Sequence, residues 1–217
     1  MNEPKHVVII LNSPLPARER MQPWLQRAAM IIAADGGANR AAEAGIAADV
    51  VVGDLDSLSA EVKKSFAPGQ LILRPSQYAT DFEKALEFAL EQNARQATIF
   101  GLSGGRLDHQ ITNLNIFERF SERLELTAVD AFGTGRIIRS RTVLHVAAGT
   151  QISLAAFRRC SGITTTGLKY PLREATMEWS INNGQSNEAV AGTVTIDLRE
   201  GSLFLYVADA LTAEEKP

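Results

Sequence analysis

The chain has 217 residues, 45% of them hydrophobic and 22% charged, which suits one large or two modest folded domains and excludes a disordered chain. Its net charge of −3 comes from interspersed acids and bases, so no basic field calls for nucleic acid and no polybasic segment for a membrane. The single cysteine, Cys160, excludes an internal disulfide, and the apolar stretch in MNEPKHVVIIL is too short for a signal-peptide core; the expected location is cytoplasmic and the expected partners are small molecules.

Up to about residue 130, short β-branched runs alternate with helical patterns. VVIIL (7–11), MIIAA (30–34), DVVV (49–52), LIL (71–73), ATIF (97–100) and LELTAV (124–129) read as strands of a parallel sheet. Between the fourth and fifth, residues 81–93 place Phe82, Ala85, Leu86, Ala89 and Leu90 on one stripe, with Glu83, Lys84, Glu87 and Glu91 on the opposite, polar face. This predicts a helix lying on a sheet. Beyond about residue 135, Thr- and Val-rich runs separated by Gly, Ser and Asn predict antiparallel strands, with LREGS as a hairpin turn between TVTID and LFLYV. The expected fold class is therefore α/β: a mostly parallel, Rossmann-like N-terminal sheet flanked by helices over residues 1–135, then an antiparallel β-sandwich over 136–217.

In an open parallel sheet, ligands bind beyond the carboxyl ends of the strands. Those exits read AADGGANR (Asp35, Asn39), GDLDS (Asp54, Asp56), RPSQYATDFEKA (Gln77, Thr80, Asp81, Lys84) and GLSGGRLDHQITN (Arg106, Asp108, His109, Asn113). Each has a plain structural reading. ADGGA suits a turn, Thr80 with Glu83 forms a capping box, and Arg106 with Asp108 suits an ion pair at a loop edge. GDLDS is harder to explain so, because two carboxylates about 6 Å apart repel by about 3 kcal/mol at the effective dielectric of a protein surface. Five aspartates at four successive exits of one sheet point to a hard cation. An oxygen donor set without a Cys or His cluster favours Mg²⁺ held together with substrate phosphates. Gly36, Gly37, Gly104 and Gly105 would let backbone N–H groups approach phosphate oxygens, and Arg106 and Lys84 could offset developing charge. The chain has no G-x-x-x-x-G-K-[ST] loop and no G-x-G-x-x-G, so a Walker NTPase and a nicotinamide enzyme are not supported; GLSGG (101–105) fits G-x-S-x-G by letter, but no plausible Ser-His-Asp set accompanies it. A binding protein that keeps its pocket without turnover and a Mg²⁺-dependent phosphohydrolase stand as rivals to an enzyme of group transfer.

ADGGANR, GDLDS, TDFEKAL and GGRLDHQITN, followed by TTTGLKYPL and SNE, resemble the thiamine pyrophosphokinase (thiamine diphosphokinase) family in order and spacing along nearly the whole chain. The resemblance implies transfer of pyrophosphate from ATP to thiamine, giving AMP and thiamine diphosphate. It further implies Mg²⁺ as cofactor, an ATP-binding N-terminal domain, and a homodimer holding thiamine where the subunits meet. By motif, Asp54, Asp56 and Asp81 would hold Mg²⁺ and, with Asp108, form the catalytic set. Asp35, Asn39, Thr80, Lys84, Arg106, His109 and Asn113 would surround the nucleotide, and Gln77, Ser186 and Asn187 would contact thiamine. Phe157, Tyr170 and Trp179 are unranked candidates for an aromatic platform under the thiamine cation.

Overall fold

The structure is a computed structural model that describes residues 5–209. Its chain divides into two compact units, one up to Ala131 and one from Phe132.

The first unit contains β1 (Lys5–Ile10), α1 (Arg18–Leu25), β2 (Met30–Ala34), α2 (Gly37–Glu43), β3 (Val50–Gly53), α3 (Ala60–Lys64), β4 (Leu71–Leu73), α4 (Asp81–Glu91), β5 (Ala94–Phe100), α5 (Leu107–Phe120) and β6 (Glu125–Val129). All six expected strands are present. They lie in the order β6-β5-β1-β2-β3-β4, and every pairing is parallel. The strands are apolar runs because both faces are covered: Val7, Val8, Ile9 and Ile10 of β1 are each at most 1% exposed. After β4 the chain returns to pair β5 with the other edge of β1. That reversal opens a crevice at the carboxyl ends of β1 and β5.

Helix α4 follows its expected stripe, with Phe82, Ala85, Leu86 and Ala89 buried. Lys84 departs from it. It was expected on the polar face, yet it is 7% exposed, drawn inward by carboxylates at the sheet edge. The capping box is present: the Thr80 hydroxyl accepts from the Glu83 N–H at 3.3 Å, and the Glu83 carboxylate accepts from the Thr80 N–H at 2.9 Å.

The second unit is a sandwich of two antiparallel sheets. One runs β12 (Gly184–Glu188), β9 (Gln151–Ala155), β14 (Leu203–Ala208), β7 (Gly133–Ile138); the other runs β11 (Ala175–Met177), β10 (Cys160–Thr166), β13 (Thr193–Asp197), β8 (Thr142–His145). Ile152, Leu154, Leu203 and Leu205 of the first sheet share a core with Ile163, Val194 and Ile196 of the second. One expectation is overturned here. TVTID and LFLYV do not form a hairpin, because β13 pairs with β8 and β10 while β14 pairs with β7 and β9. Both strands are buried on alternate residues. Placing them in opposite sheets turns their apolar faces onto one another, whereas a flat hairpin would leave that face needing another cover.

Candidate active site

The first strand exit brings in Asp35, directly after β2. Its backbone sits in the left-handed region (φ 40°), a conformation a non-glycine residue adopts at a cost of about 1–3 kcal/mol. The side chain is 1% exposed and accepts a hydrogen bond from the Ser57 N–H at 3.2 Å. Asp54 follows β3, and Asp81 opens α4. Asp35, Asp54 and Asp81 each direct a carboxylate oxygen to a common place, all within 4.8 Å of one another. A Cβ added at Gly53 would lie 2.6 Å from the Asp35 Cβ and 3.1 Å from Asp81 Oδ1, so a side chain there would force the trio apart.

The electrostatics are uneven. Burial raises the Asp35 carboxyl above its ordinary range; the charges of Asp81 and Asp54 add to that, and hydrogen bonds from Ser57 only partly oppose it. Burial acts on Asp54 in the same sense, but the Lys84 charge and the Asp56 backbone N–H outweigh it and hold Asp54 low. Lys84 Nζ lies 2.9 Å from Asp81 Oδ1 and 3.4 Å from Asp54 Oδ2. These two contacts overcome the burial that would otherwise lower the ammonium. Gln77 Nε2 reaches the same Asp54 oxygen at 3.4 Å. On the other side, Asp35 Oδ1 and Asp54 Oδ1 are buried with no hydrogen-bond partner. A buried carboxylate oxygen left unpaired is costly, and two of them within a close trio of carboxylates fit an oxygen-liganded divalent cation such as Mg²⁺.

A cleft of about 470 Å³ adjoins the trio, lined by Asp54, Gln77, Thr80, Asp81, Lys84, His109, Asn113 and the β1 exit residues Asn12 and Ser13. The sequence reading did not single out Asn12 or Ser13, although LNSP follows a buried strand as the other exits do. It also assigned the glycines differently. A Cβ at Gly37 would overlap the Ile10 carbonyl oxygen, and one at Gly105 would lie 2.8 Å from Ser13 Oγ. What these glycines accommodate is the β1 exit.

The remaining expected residues fall at varying distances from this centre. Asp56 is exposed and outside the trio; its Oδ1 accepts from the Ser57 hydroxyl at 3.0 Å. Asp108 is also exposed and held by Arg106 through two bonds of 3.1 and 2.7 Å, which keep its carboxyl low. Asn39 is occupied with the β3 loop, donating to Ser57 O at 2.8 Å and accepting from Ser59 N–H at 3.1 Å. Asn113 donates to Leu102 O at 3.2 Å.

In the second unit, Ser186 has left-handed backbone (φ 55°) and lines a cleft of about 620 Å³ with Phe132, Ser153, Phe204 and Tyr206. Phe204 and Tyr206 were missed; in LFLYV they are the residues that alternate with buried Leu203 and Leu205. Asn187 behaves differently from its neighbour. Its amide donates to Tyr170 O at 2.7 Å and accepts from Tyr170 N–H at 3.1 Å, so it clamps the backbone there. Trp179, 62% exposed, packs on Phe157 with ring centroids 5.6 Å apart, and Phe157 continues to Phe204 at 5.8 Å.

Residues 21–128 match the family described as thiamin pyrophosphokinase, catalytic domain, and residues 138–203 match thiamin pyrophosphokinase, vitamin B1 binding domain. Thiamine pyrophosphokinase 3 of Oryza sativa subsp. japonica is 30% identical over 226 residues, covering 88% of this chain and 84% of that protein. The chain belongs to the thiamine pyrophosphokinase family. Solved thiamine pyrophosphokinases share its fold. One from Bacillus subtilis superposes with a TM-score of 0.83 at 23% identity, over 95% of this chain and all of that one. One from Geobacillus thermodenitrificans gives 0.81 at 26% identity, over 95% and 99%.

Proposed function

We infer that this chain is a thiamine diphosphokinase: it transfers pyrophosphate from ATP to the primary hydroxyl of thiamine, releasing AMP and thiamine diphosphate. The observation that carries the reading is the trio of Asp35, Asp54 and Asp81, which holds two unpartnered buried oxygens and of which Asp54 and Asp81 line a cleft roomy enough for a polyphosphate. Mg²⁺ on these carboxylates, with Asp56 beside them, would screen the phosphate oxygens as charge shifts between them.

The thiamine hydroxyl oxygen forms a bond to the β-phosphorus of ATP, and the bond from that phosphorus to the oxygen shared with the α-phosphate breaks. AMP leaves with that oxygen. The hydroxyl proton goes to a carboxylate, Asp81 or Asp108; each is paired with a cation, Asp81 with Lys84 and Asp108 with Arg106, and of the two Asp81 lines the cleft. Asn12, Ser13, Thr80, His109 and Asn113 offer polar contacts to the nucleotide, and Gln77 lies beside Asp54 at the transferring group. Positioning and charge neutralisation supply most of the rate.

The two family matches, to a catalytic domain at 21–128 and a vitamin B1 binding domain at 138–203, support a catalytic domain over 1–135 and a thiamine-binding domain over 136–217; this reading assigns ATP and Mg²⁺ to the first and dimerisation to the second. Ser186 with Phe204 and Tyr206 gives the second domain an aromatic cleft suited to a cationic ring system, with Trp179 and Phe157 at its flank. A homodimer that completes the thiamine site, working in the cytoplasm, accompanies this reading. Among the described residues, no helix is long and apolar enough to cross a membrane.

The test is to incubate the protein with ATP, Mg²⁺ and thiamine and follow products by mass spectrometry. Thiamine diphosphate and AMP should appear in equal amounts, and EDTA should stop both. ATP consumption without thiamine would favour a phosphohydrolase, and thiamine binding without AMP release a sensor.

A further inference from the structure

Lys84 is the one expected site residue whose burial contradicts its place in the helical pattern. A lysine 7% exposed is rare unless paired, and this one is paired twice, with Asp81 at 2.9 Å and Asp54 at 3.4 Å. Its position on α4 explains the reach, since residue 84 lies one turn beyond residue 81 on the same helix face. Lys84 takes Oδ2 of Asp54, which leaves Oδ1 of that residue buried and unpartnered alongside Oδ1 of Asp35. The ammonium thus satisfies one oxygen of Asp54 and one of Asp81, and leaves Oδ1 of Asp54 and Oδ1 of Asp35 without a partner.

We propose that Lys84 is the resident counter-cation of the acidic trio, a positioning residue that holds Asp54 and Asp81 together without metal and so sets how far the fold depends on a divalent ion. The proposal rests on reading the trio as a divalent-cation site. Three carboxylates within 4.8 Å carry up to three negative charges, and Lys84 cancels one. Without it, the remaining repulsion falls on the protein until a cation binds. The same arithmetic makes Lys84 an opponent of the metal. A unit positive charge a few ångströms from a divalent ion weakens binding by roughly tenfold even at the dielectric of water. Lys84 thus exchanges metal affinity for stability of the empty site.

The experiment measures melting temperature in EDTA and in saturating Mg²⁺ for the native chain, Lys84→Met, Lys84→Arg and Lys84→Met with Asp81→Asn, together with Mn²⁺ affinity by electron paramagnetic resonance. Lys84→Met should melt several degrees lower in EDTA, recover most of that loss in Mg²⁺, and bind Mn²⁺ about tenfold more tightly. Lys84→Arg should stay near native, and the double variant should regain stability in EDTA because the repulsion falls to that between Asp35 and Asp54. A purely packing role would give a loss that neither Mg²⁺ nor Asp81→Asn repairs, with Mn²⁺ affinity unchanged or weaker, and that result overturns the proposal. If Lys84→Met cannot be folded, the double variant in EDTA decides alone: near-native melting supports the counter-charge and continued failure overturns it. Absence of Mn²⁺ binding to the native chain would instead defeat the metal reading, while the EDTA comparison still judges Lys84.

Discussion

Asp35 holds a costly arrangement on three counts: left-handed backbone, full burial, and two like charges nearby. Its raised proton affinity has a definite sign for stability. A carboxyl that binds its proton more tightly folded than unfolded destabilises the fold once ionised, so at neutral pH Asp35 opposes folding. Asp35→Asn, which keeps an oxygen for the Ser57 N–H, should therefore raise the melting temperature in EDTA by about 2–4 °C, the equivalent of about 1 kcal/mol for a chain of this size. Turnover should fall at least a hundredfold. A drop in melting temperature would count against the proposed strain. Asp54 has the opposite sign. Held low by Lys84, it contributes stability that is present above the unfolded carboxyl value of about 3.9 and is lost as pH falls through its lower folded value. Asp54→Asn should remove turnover by orders of magnitude while circular dichroism stays native.

Helix α4 does more for the site than any other element, since it carries Asp81 and Lys84 and starts at Thr80. Its start is defined by reciprocal bonds between Thr80 and Glu83, and Glu83 also pairs with Arg119 of α5. One turn on, Glu87 pairs with Arg123 at 2.5 and 3.0 Å. The first pair ties α4 to the helix that presents His109 and Asn113, and the second ties it to the turn just beyond that helix. Removing the cap with Thr80→Ala should cost about 1 kcal/mol in urea denaturation, and Thr80→Ser should restore most of it. The β1 exit depends on glycines in the same way. Gly37→Ala, whose new methyl would collide with the Ile10 carbonyl, should cost about 1–3 kcal/mol, whereas Gly69→Ala, with nothing within 4 Å, should be free of any clash. Equal effects at the two positions would remove the steric explanation.

At the scale of the molecule, the two units have separate cores and separate clefts, and the proposed ligands are divided between them. Hydrogen exchange on the full chain can test that division. Mg²⁺ and ATP should slow exchange at residues 35–39, 54–59 and 80–84 and leave β8, β10, β11 and β13 unchanged. Equal protection throughout the sandwich would contradict the assignment of the nucleotide to the first unit.

The parallel strands, the α4 stripe, the capping box and the acidic exits could all be read along the chain, because strand and helix periods and caps are properties of neighbouring residues. Family membership was legible for a related reason: its motifs are contiguous strings. Three features needed the folded chain. Asp35 joins Asp54 and Asp81 because crossover order decides which exits adjoin; Lys84 turns inward because Asp54, distant in sequence, attracts it together with Asp81 of its own helix; and β13 and β14 separate into opposite sheets because their apolar faces require one another. Each depends on residues brought together across long stretches of chain, where local periodicity carries no information about direction or partner.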